Sequence, residues 1–256
     1  MAESETILVE TTGSACVITL NRPALRNAIS LRLMQELTEA LTGAATRSVI
    51  ITGGVECFSA GRDLKEAAKS SPGEREQARL AWRGVTDTIE ALGKPVVAAI
   101  EGHCLTGGLE LALACDLRVA GEGASFGITS ARLGSIPGFG GTQRLPRVVG
   151  VSRALEILFS ANPIDVEEAF RIGLINRKAA KGAALAGALA MVEVYAERAP
   201  LSLATMKRVV REGMAMEFAA ALDHERKLGA TLGGTADRAE GMAAFREKRK
   251  PRFQGR

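Results

Sequence analysis

Apolar residues recur along this chain with two different periods, and the alternation between them sketches its elements. Residues 7–10 and 16–20 are short β-branched runs on either side of Thr12-Gly13-Ser14, the pattern of a hairpin. Leu33, Met34, Leu37 and Leu41 fall at helical spacing behind Ser30, a residue type that caps helix starts. Residues 48–52, 95–100 and 117–120 read as buried strands. A helix is predicted over roughly 74–92, after the break at Ser70-Ser71-Pro72-Gly73. Glu101-Gly102 then turns the 95–100 strand towards a helix opening at Gly107. Residues 134–150, rich in Gly and Pro, read as a loop followed by a short helix. From Val151 strand signals fade apart from 174–177, and Ala/Leu/Glu/Arg helices dominate to the end. The pattern implies an α/β core over 1–195 and a helical part over 196–256, with no sharp linker, solenoid repeat or low-complexity tract.

Composition narrows the function classes. With 256 residues, 46% of them hydrophobic, the chain can bury a substantial core. Its 33 basic residues face 29 acidic ones, a balance too even to call for nucleic acid, and 4% aromatic content leaves few platforms for stacking bases. Cys16, Cys57, Cys104 and Cys115 are widely spaced without a CxxC, and His103 and His224 give no ligand spacing with them. These features imply a reduced protein without a metal site. No apolar run approaches the ~20 residues of a membrane span, and the first six residues lack the basic start and apolar core of a signal peptide. A cytoplasmic protein is expected.

The chemistry-bearing stretch is 107–116, Gly-Gly-Leu-Glu-Leu-Ala-Leu-Ala-Cys-Asp. Two glycines open a helix and Glu110 lies in its first turn. Free N–H groups at a helix start favour negative charge, and glycine lets a ligand approach them closely. Such a site can hold an oxyanion on main-chain N–H groups while Glu110 moves a proton. Two further Gly-bearing segments follow strands, Ser59-Ala60-Gly61-Arg62-Asp63-Leu64 and the run from Ile136 to Arg144, as ligand loops do in α/β proteins. Competing motifs are weaker. Gly123-Ala124-Ser125-Phe126-Gly127 matches a nucleophile elbow, and Asp223-His224 could supply partners, but the residues after it do not read as the required helix. Gly138-Phe139-Gly140 lacks the third glycine of a dinucleotide fingerprint. His224 reads as a surface residue, and His103 as packing beneath the 107 helix.

Across nearly its whole length, the chain resembles the enoyl-CoA hydratase/isomerase family, the crotonases. The matching residues are Asn21-Arg22-Pro23 with Arg26-Asn27-Ala28, Phe58 to Glu66, Gly107 to Asp116, Ile136 to Pro146, and Glu240 to Phe245 followed by Glu247 to Lys250. The resemblance implies an α/β fold, a crotonase-like spiral of β-β-α units, with a C-terminal helical part that builds homotrimers, often paired into hexamers. It also implies an acyl-CoA thioester substrate, coenzyme A arriving as part of that substrate rather than as a cofactor, and no nucleic-acid or membrane partner. The backbone N–H groups of Arg62 and Gly107 would hold the thioester oxygen. Ala60, Asp63 and Leu64 would cradle the CoA moiety, with Arg22, Arg26 and Lys248 candidates for its phosphates. The Arg62 side chain could reach a CoA phosphate or line the acyl pocket, to which the 74–92 helix would contribute.

One departure bears on the chemistry. Hydratases of the family use two glutamates flanking the added water, and Glu110 supplies the first. The second normally falls in Phe-Gly-x-Pro-Glu, which here reads Phe126-Gly127-Ile128-Thr129-Ser130. Ser130 can position a water but cannot serve as a carboxylate base. The position where some relatives carry an aspartate holds Phe139. Enoyl-CoA hydration, a lyase reaction of lipid metabolism, is expected. Isomerisation or thioester hydrolysis using Glu110 alone, and acyl-CoA binding without turnover, are the alternatives.

Overall fold

The protein, seen as a computed structural model, is described over residues 6–256. All but one of the residues that carry the leaderless reading lie outside that span. Strands β1 (Ile7–Thr12) and β2 (Ala15–Leu20) form the expected antiparallel hairpin. Helix α1 (Leu31–Gly43) starts where Ser30 Oγ accepts the Leu33 N–H at 3.2 Å, and it buries the four apolar residues that the spacing singles out. After β3 (Ser48–Thr52) come α2 (Leu64–Lys69) and α3 (Pro72–Ala91), the latter opened by a reciprocal cap between Ser71 and Glu74.

The chain then repeats a strand–strand–helix theme. β4 (Val96–Ile100), β5 (His103–Leu105) and α4 (Gly107–Ala114) make one turn. β6 (Leu117–Gly121), β7 (Ser125–Gly127) and α5 (Gly141–Val149) make the next. Within each turn the first strand joins a six-stranded sheet, β1-β2-β3-β4-β6-β9, parallel from β2 onward. The second joins a small sheet, β5-β7-β8. Ser59 bridges Cys104 in parallel, so the segment after β3 takes the same place one turn earlier. The remaining elements are α6 (Val151–Ser160), β8 (Ile164–Asp165), α7 (Val166–Arg171), β9 (Arg177–Ala179), α8 (Ala184–Ala196), α9 (Pro200–Gly213), α10 (Phe218–Ala230) and α11 (Ala236–Glu247).

The large sheet is buried on both faces, which is why its inner strands read as unbroken apolar runs. Ile18, Ile51, Ala98 and Ile100 point into a core shared with α1, α3 and α4. Val17, Ile50, Val97, Ala99 and Val119 point the other way, under Ala184, Ala188, Met191 and Val192 of α8. By contrast α9 and α10 bury no residue and expose Met206, Val210, Phe218 and Leu222, with Met214 exposed just after α9.

Several expectations change. The small-sheet strands β5, β7 and β8 span two or three residues, too short to show a period of two. The strand expected at 174–177 lies at Arg177–Ala179, because Leu174 and Ile175 are buried side chains of the loop that leads into it. His103 does not pack beneath the 107 helix. It is exposed on β5, with Nδ1 2.8 Å from Ser125 Oγ. His224 is partly buried rather than a free surface residue, its Nε2 2.5 Å from Glu212 across the α9–α10 hairpin.

Candidate active site

All eight residues of α4 are buried, and its first turn is built from the smallest ones. A Cβ added to Gly108 would lie 2.6 Å from the Ser59 carbonyl oxygen, so only glycine admits this contact between helix start and neighbouring loop. Thr106, the residue before the helix, sits at φ 46°, a region β-branched residues rarely adopt. Its hydroxyl does not cap the helix. It lies 2.9 Å from Thr129 Oγ1 and accepts the Thr129 N–H at 3.2 Å. The first N–H groups of α4 therefore stay open, as an uncapped helix start requires.

The second open donor comes from the turn after β3. Ile29 N–H donates to Gly61 O at 2.8 Å and Asp63 N–H donates to Ile29 O at 2.9 Å, an extended bridge that turns the intervening Arg62 N–H the other way. A Cβ on Gly107 would sit 3.2 Å from Arg62 N, and one on Gly61 would sit 3.1 Å from Gly107 N. The two N–H groups thus adjoin, and among the described residues neither has an acceptor. Paired donors of this kind suit a developing oxyanion.

Glu110 is 1% exposed. Its Oε1 accepts the N–H groups of Phe139 at 2.8 Å and Gly141 at 2.9 Å, while Oε2 has no partner among the described residues. Burial raises its pKa above the usual glutamate range, and the two N–H groups with the Arg144 charge only partly offset this. A half-satisfied, buried carboxylate with a raised pKa is poised to take and return a proton.

The loop that holds Glu110 is itself tied down by charges the sequence does not reveal. Arg144 donates to Phe139 O at 3.0 Å and pairs with Glu90 at 2.7 Å. Glu90 also faces Arg211 of α9 at 3.4 Å. Arg211 in turn donates to Ala114 O at 2.9 Å, at the end of α4, and pairs with Asp116 at 2.7 Å, which Lys207 meets at 2.8 Å. Apart from the Arg144–Phe139 contact, the hydrogen-bonded partners lie 54 to 97 positions apart in sequence, so no local pattern could have found them.

Ser130 is 6% exposed at the start of a short 3₁₀ turn, and its carbonyl accepts the Ser135 N–H and hydroxyl. It follows Thr129, the partner of Thr106, and so adjoins the segment that carries Gly107. Asp63 caps α2 by accepting the Lys65 and Glu66 N–H groups and pairs with Arg22 at 3.0 Å. Burial pushes its pKa up, but the Glu66 N–H and the Arg22 guanidinium outweigh that and lower it. Arg22 is committed to Asp63 and to the Ala28 carbonyl. Ala60, held by Arg26 O at 2.9 Å, and Leu64 are exposed on the same turn, as is Arg26 at φ 50°. Lys248 stands apart. It ends α11 in a left-handed conformation, and no hydrogen bond or ion pair joins it to the 60–64 turn among the described residues.

Between the 62–70 segment, α3 and Phe139 lies a small cavity of about 10 Å³, room for about one water molecule. Trp82 stacks on Phe139 with ring centroids 4.1 Å apart. Arg62 lines this space, and α3 contributes to it through Ala78 and Trp82. Elsewhere, Ser125 opens a strand instead of sitting on a strand-to-helix elbow, and its His103 partner has no carboxylate behind it among the described residues. Among those residues no group of three or more His, Cys, Asp or Glu is placed to hold a metal, and no helix is long and apolar enough to cross a membrane.

Residues 10–256 match the protein family described as enoyl-CoA hydratase/isomerase. The chain is 41% identical over 246 residues to a probable enoyl-CoA hydratase of Bacillus subtilis, covering 93% of this chain and 95% of that one. It is 38% identical over 256 residues to the 2,3-dehydroadipyl-CoA hydratase of Escherichia coli, covering 98% and 99%. Among solved structures, an enoyl-CoA hydratase from Bacillus anthracis superposes with a TM-score of 0.94 at 38% identity, covering 98% of this chain and 100% of that chain.

Proposed function

Since the chain belongs to the enoyl-CoA hydratase/isomerase family and has the crotonase fold, we propose that it adds water reversibly across the double bond of a 2-enoyl-CoA. The observation that carries this reading is the pairing of a buried, half-satisfied Glu110 with two adjoining open N–H groups. The thioester oxygen binds at Arg62 N–H and Gly107 N–H. Glu110 takes a proton from water as its oxygen bonds to C3, and the electron pair of the double bond moves onto the thioester oxygen. The enolate then collapses as Glu110 returns a proton to C2, so no proton is lost or gained overall. Ser130 holds the attacking water by hydrogen bonding.

Ala60, Asp63 and Leu64 contact the CoA moiety, with Arg26 at its phosphates. Arg22 acts through Asp63, which it holds in place. Lys248 reaches a CoA phosphate from the C-terminal segment. CoA enters with the substrate and no further cofactor takes part. The protein assembles as a homotrimer or a pair of trimers, a reading supported by the apolar faces that α9 and α10 leave uncovered. Four buried, unpaired cysteines support a reducing, cytoplasmic setting.

A second reading is favoured by the single carboxylate. Glu110 alone can carry a proton from C2 to C4 and so isomerise a 3-enoyl-CoA to the 2-enoyl thioester. Assays of enoyl-CoA hydration and isomerisation with the wild type and Glu110→Gln test both. The variant is expected to keep acyl-CoA binding and lose about 10²–10⁴ in turnover. Equal turnover by the two proteins refutes the assignment of Glu110.

A further inference from the structure

One residue stands where the open Gly107 donor meets the segment that carries Ser130. Thr106 precedes Gly107 at φ 46° and ψ −110°. That combination lies near the first central position of a type II′ turn, about +60° and −120°, which glycine ordinarily fills. A β-branched residue there is strained and persists only where its surroundings over-determine it. Every polar group of Thr106 is held. Its N–H donates to Gly127 O at 2.7 Å, and its carbonyl accepts the Glu110 N–H at 2.9 Å. Its hydroxyl lies 2.9 Å from Thr129 Oγ1 and accepts the Thr129 N–H at 3.2 Å. The peptide joining Thr106 to Gly107 is planar and trans, so its N–H points opposite to its carbonyl. With that carbonyl turned along α4 towards Glu110, the Gly107 N–H faces out of the helix start, beside Arg62 N–H.

Resting on the acyl-CoA reading above, we propose that Thr106 is a positioning residue of the oxyanion site, its hydroxyl locked to Thr129 so that the Gly107 N–H stays in line for the thioester oxygen. Relaxation of Thr106 towards an ordinary backbone conformation turns the 106–107 peptide and carries that N–H off its line. The hydroxyl opposes the turn, because the side chain rotates with φ and its contacts with Thr129 would break. A side chain of the same shape without the hydroxyl fills the space and leaves the turn unopposed. The same contact runs to the residue before Ser130, so the donor and the water holder are set relative to each other. Strain and hydroxyl come together here. Glycine at 106 would be free of the strain and could not make the bond.

The test follows turnover of but-2-enoyl-CoA and the infrared spectrum of bound butanoyl-CoA with an isotopically labelled thioester carbonyl. It compares the wild type with Thr106→Val, Thr106→Ser, Thr129→Val and the double valine variant. Thr106→Val is expected to lower kcat by about 10–10²-fold with KM within about threefold, short of the ~10²–10³ that losing a whole donor costs. Thr106→Ser, which keeps the hydroxyl, is expected to stay within about threefold of the wild type. Thr129→Val removes the same contact from a residue at φ −93°, and the double variant should lose no more than about twofold beyond the worse single. The pH profile of kcat is expected to stay in place, since neither threonine titrates near neutrality. The bound carbonyl should absorb at lower frequency on the wild type and Thr106→Ser, and lose about half of that shift in Thr106→Val. Wild-type kcat and carbonyl frequency in both single valine variants overturn the proposal and leave the acyl-CoA reading standing. So does a Thr106→Ser variant as slow as Thr106→Val, or a moved pH profile, which would mean that the helix start merely loosens around Glu110. A wild type that binds butanoyl-CoA without any carbonyl shift refutes the oxyanion site and the role of Thr106 together. A wild type that shifts the carbonyl and hydrates no enoyl thioester fails the hydratase reading alone, and the infrared comparison still decides the role of Thr106.

Discussion

Gly141 N–H donates to Glu110 Oε1 at 2.9 Å, and it can do so only because residue 141 has no side chain. A Cβ there would sit 3.1 Å from Glu110 Cγ and 2.9 Å from Ile128 Cδ1. Gly141→Ala should therefore displace the carboxylate it is meant to hold. We expect turnover to fall about 10²-fold, the usual consequence of an ångström-scale misplacement, with a smaller effect on acyl-CoA binding. Steady-state kinetics beside calorimetric binding of a saturated acyl-CoA would check this. An alanine variant with wild-type turnover would show that the loop yields freely.

Glu110 also makes folding depend on pH with a definite sign. Its pKa is raised in the folded protein, chiefly by burial, so the folded state binds its proton more tightly than the unfolded chain does. Its contribution to stability is then fully present below the unfolded glutamate value of about 4.3 and is lost as pH rises through the folded value. Glu110→Gln has no proton to lose. The melting temperature of the variant minus that of the wild type should increase from pH 4 towards neutrality and then level off. A difference that is flat with pH, or that shrinks, would contradict the raised pKa.

Ser130 occupies a buried position next to Thr129, which is tied to the residue before Gly107. Ser130→Glu is expected to raise enoyl-CoA hydration by up to the ~10²–10⁴ typical of a general acid or base. Water-addition rates and a melting curve, measured together, separate a chemical gain from a folding defect. A folded variant that binds substrate and gains nothing would remove Ser130 from the role of water holder.

Much of this fold could be read from local patterns, and the reason is physical. α1 announces itself because Ser30 caps it and four apolar residues repeat on one face. β3 and β4 do so because burial on both faces leaves no polar interruption. The 107 helix and Glu110 could be read from glycine placement, since close backbone approach admits little else. The small sheet was not legible, because strands of two or three residues have no period. The clamp on the 137–141 loop was not legible either. Arg144, Glu90, Arg211 and Asp116 meet only in three dimensions, and each looks like an ordinary surface charge in its own segment.

That clamp makes the last third of the chain part of the machinery it only seems to brace. Arg211 of α9 touches the far end of the helix that bears Glu110, and through Glu90 and Arg144 it touches the loop that grips Glu110's carboxylate. Lever and grip share one handle. Whatever lifts α9, whether a mutation, a protease or a lost neighbour, slackens both holds on the carboxylate at once, so catalytic output becomes a gauge of how firmly the C-terminal helices are seated.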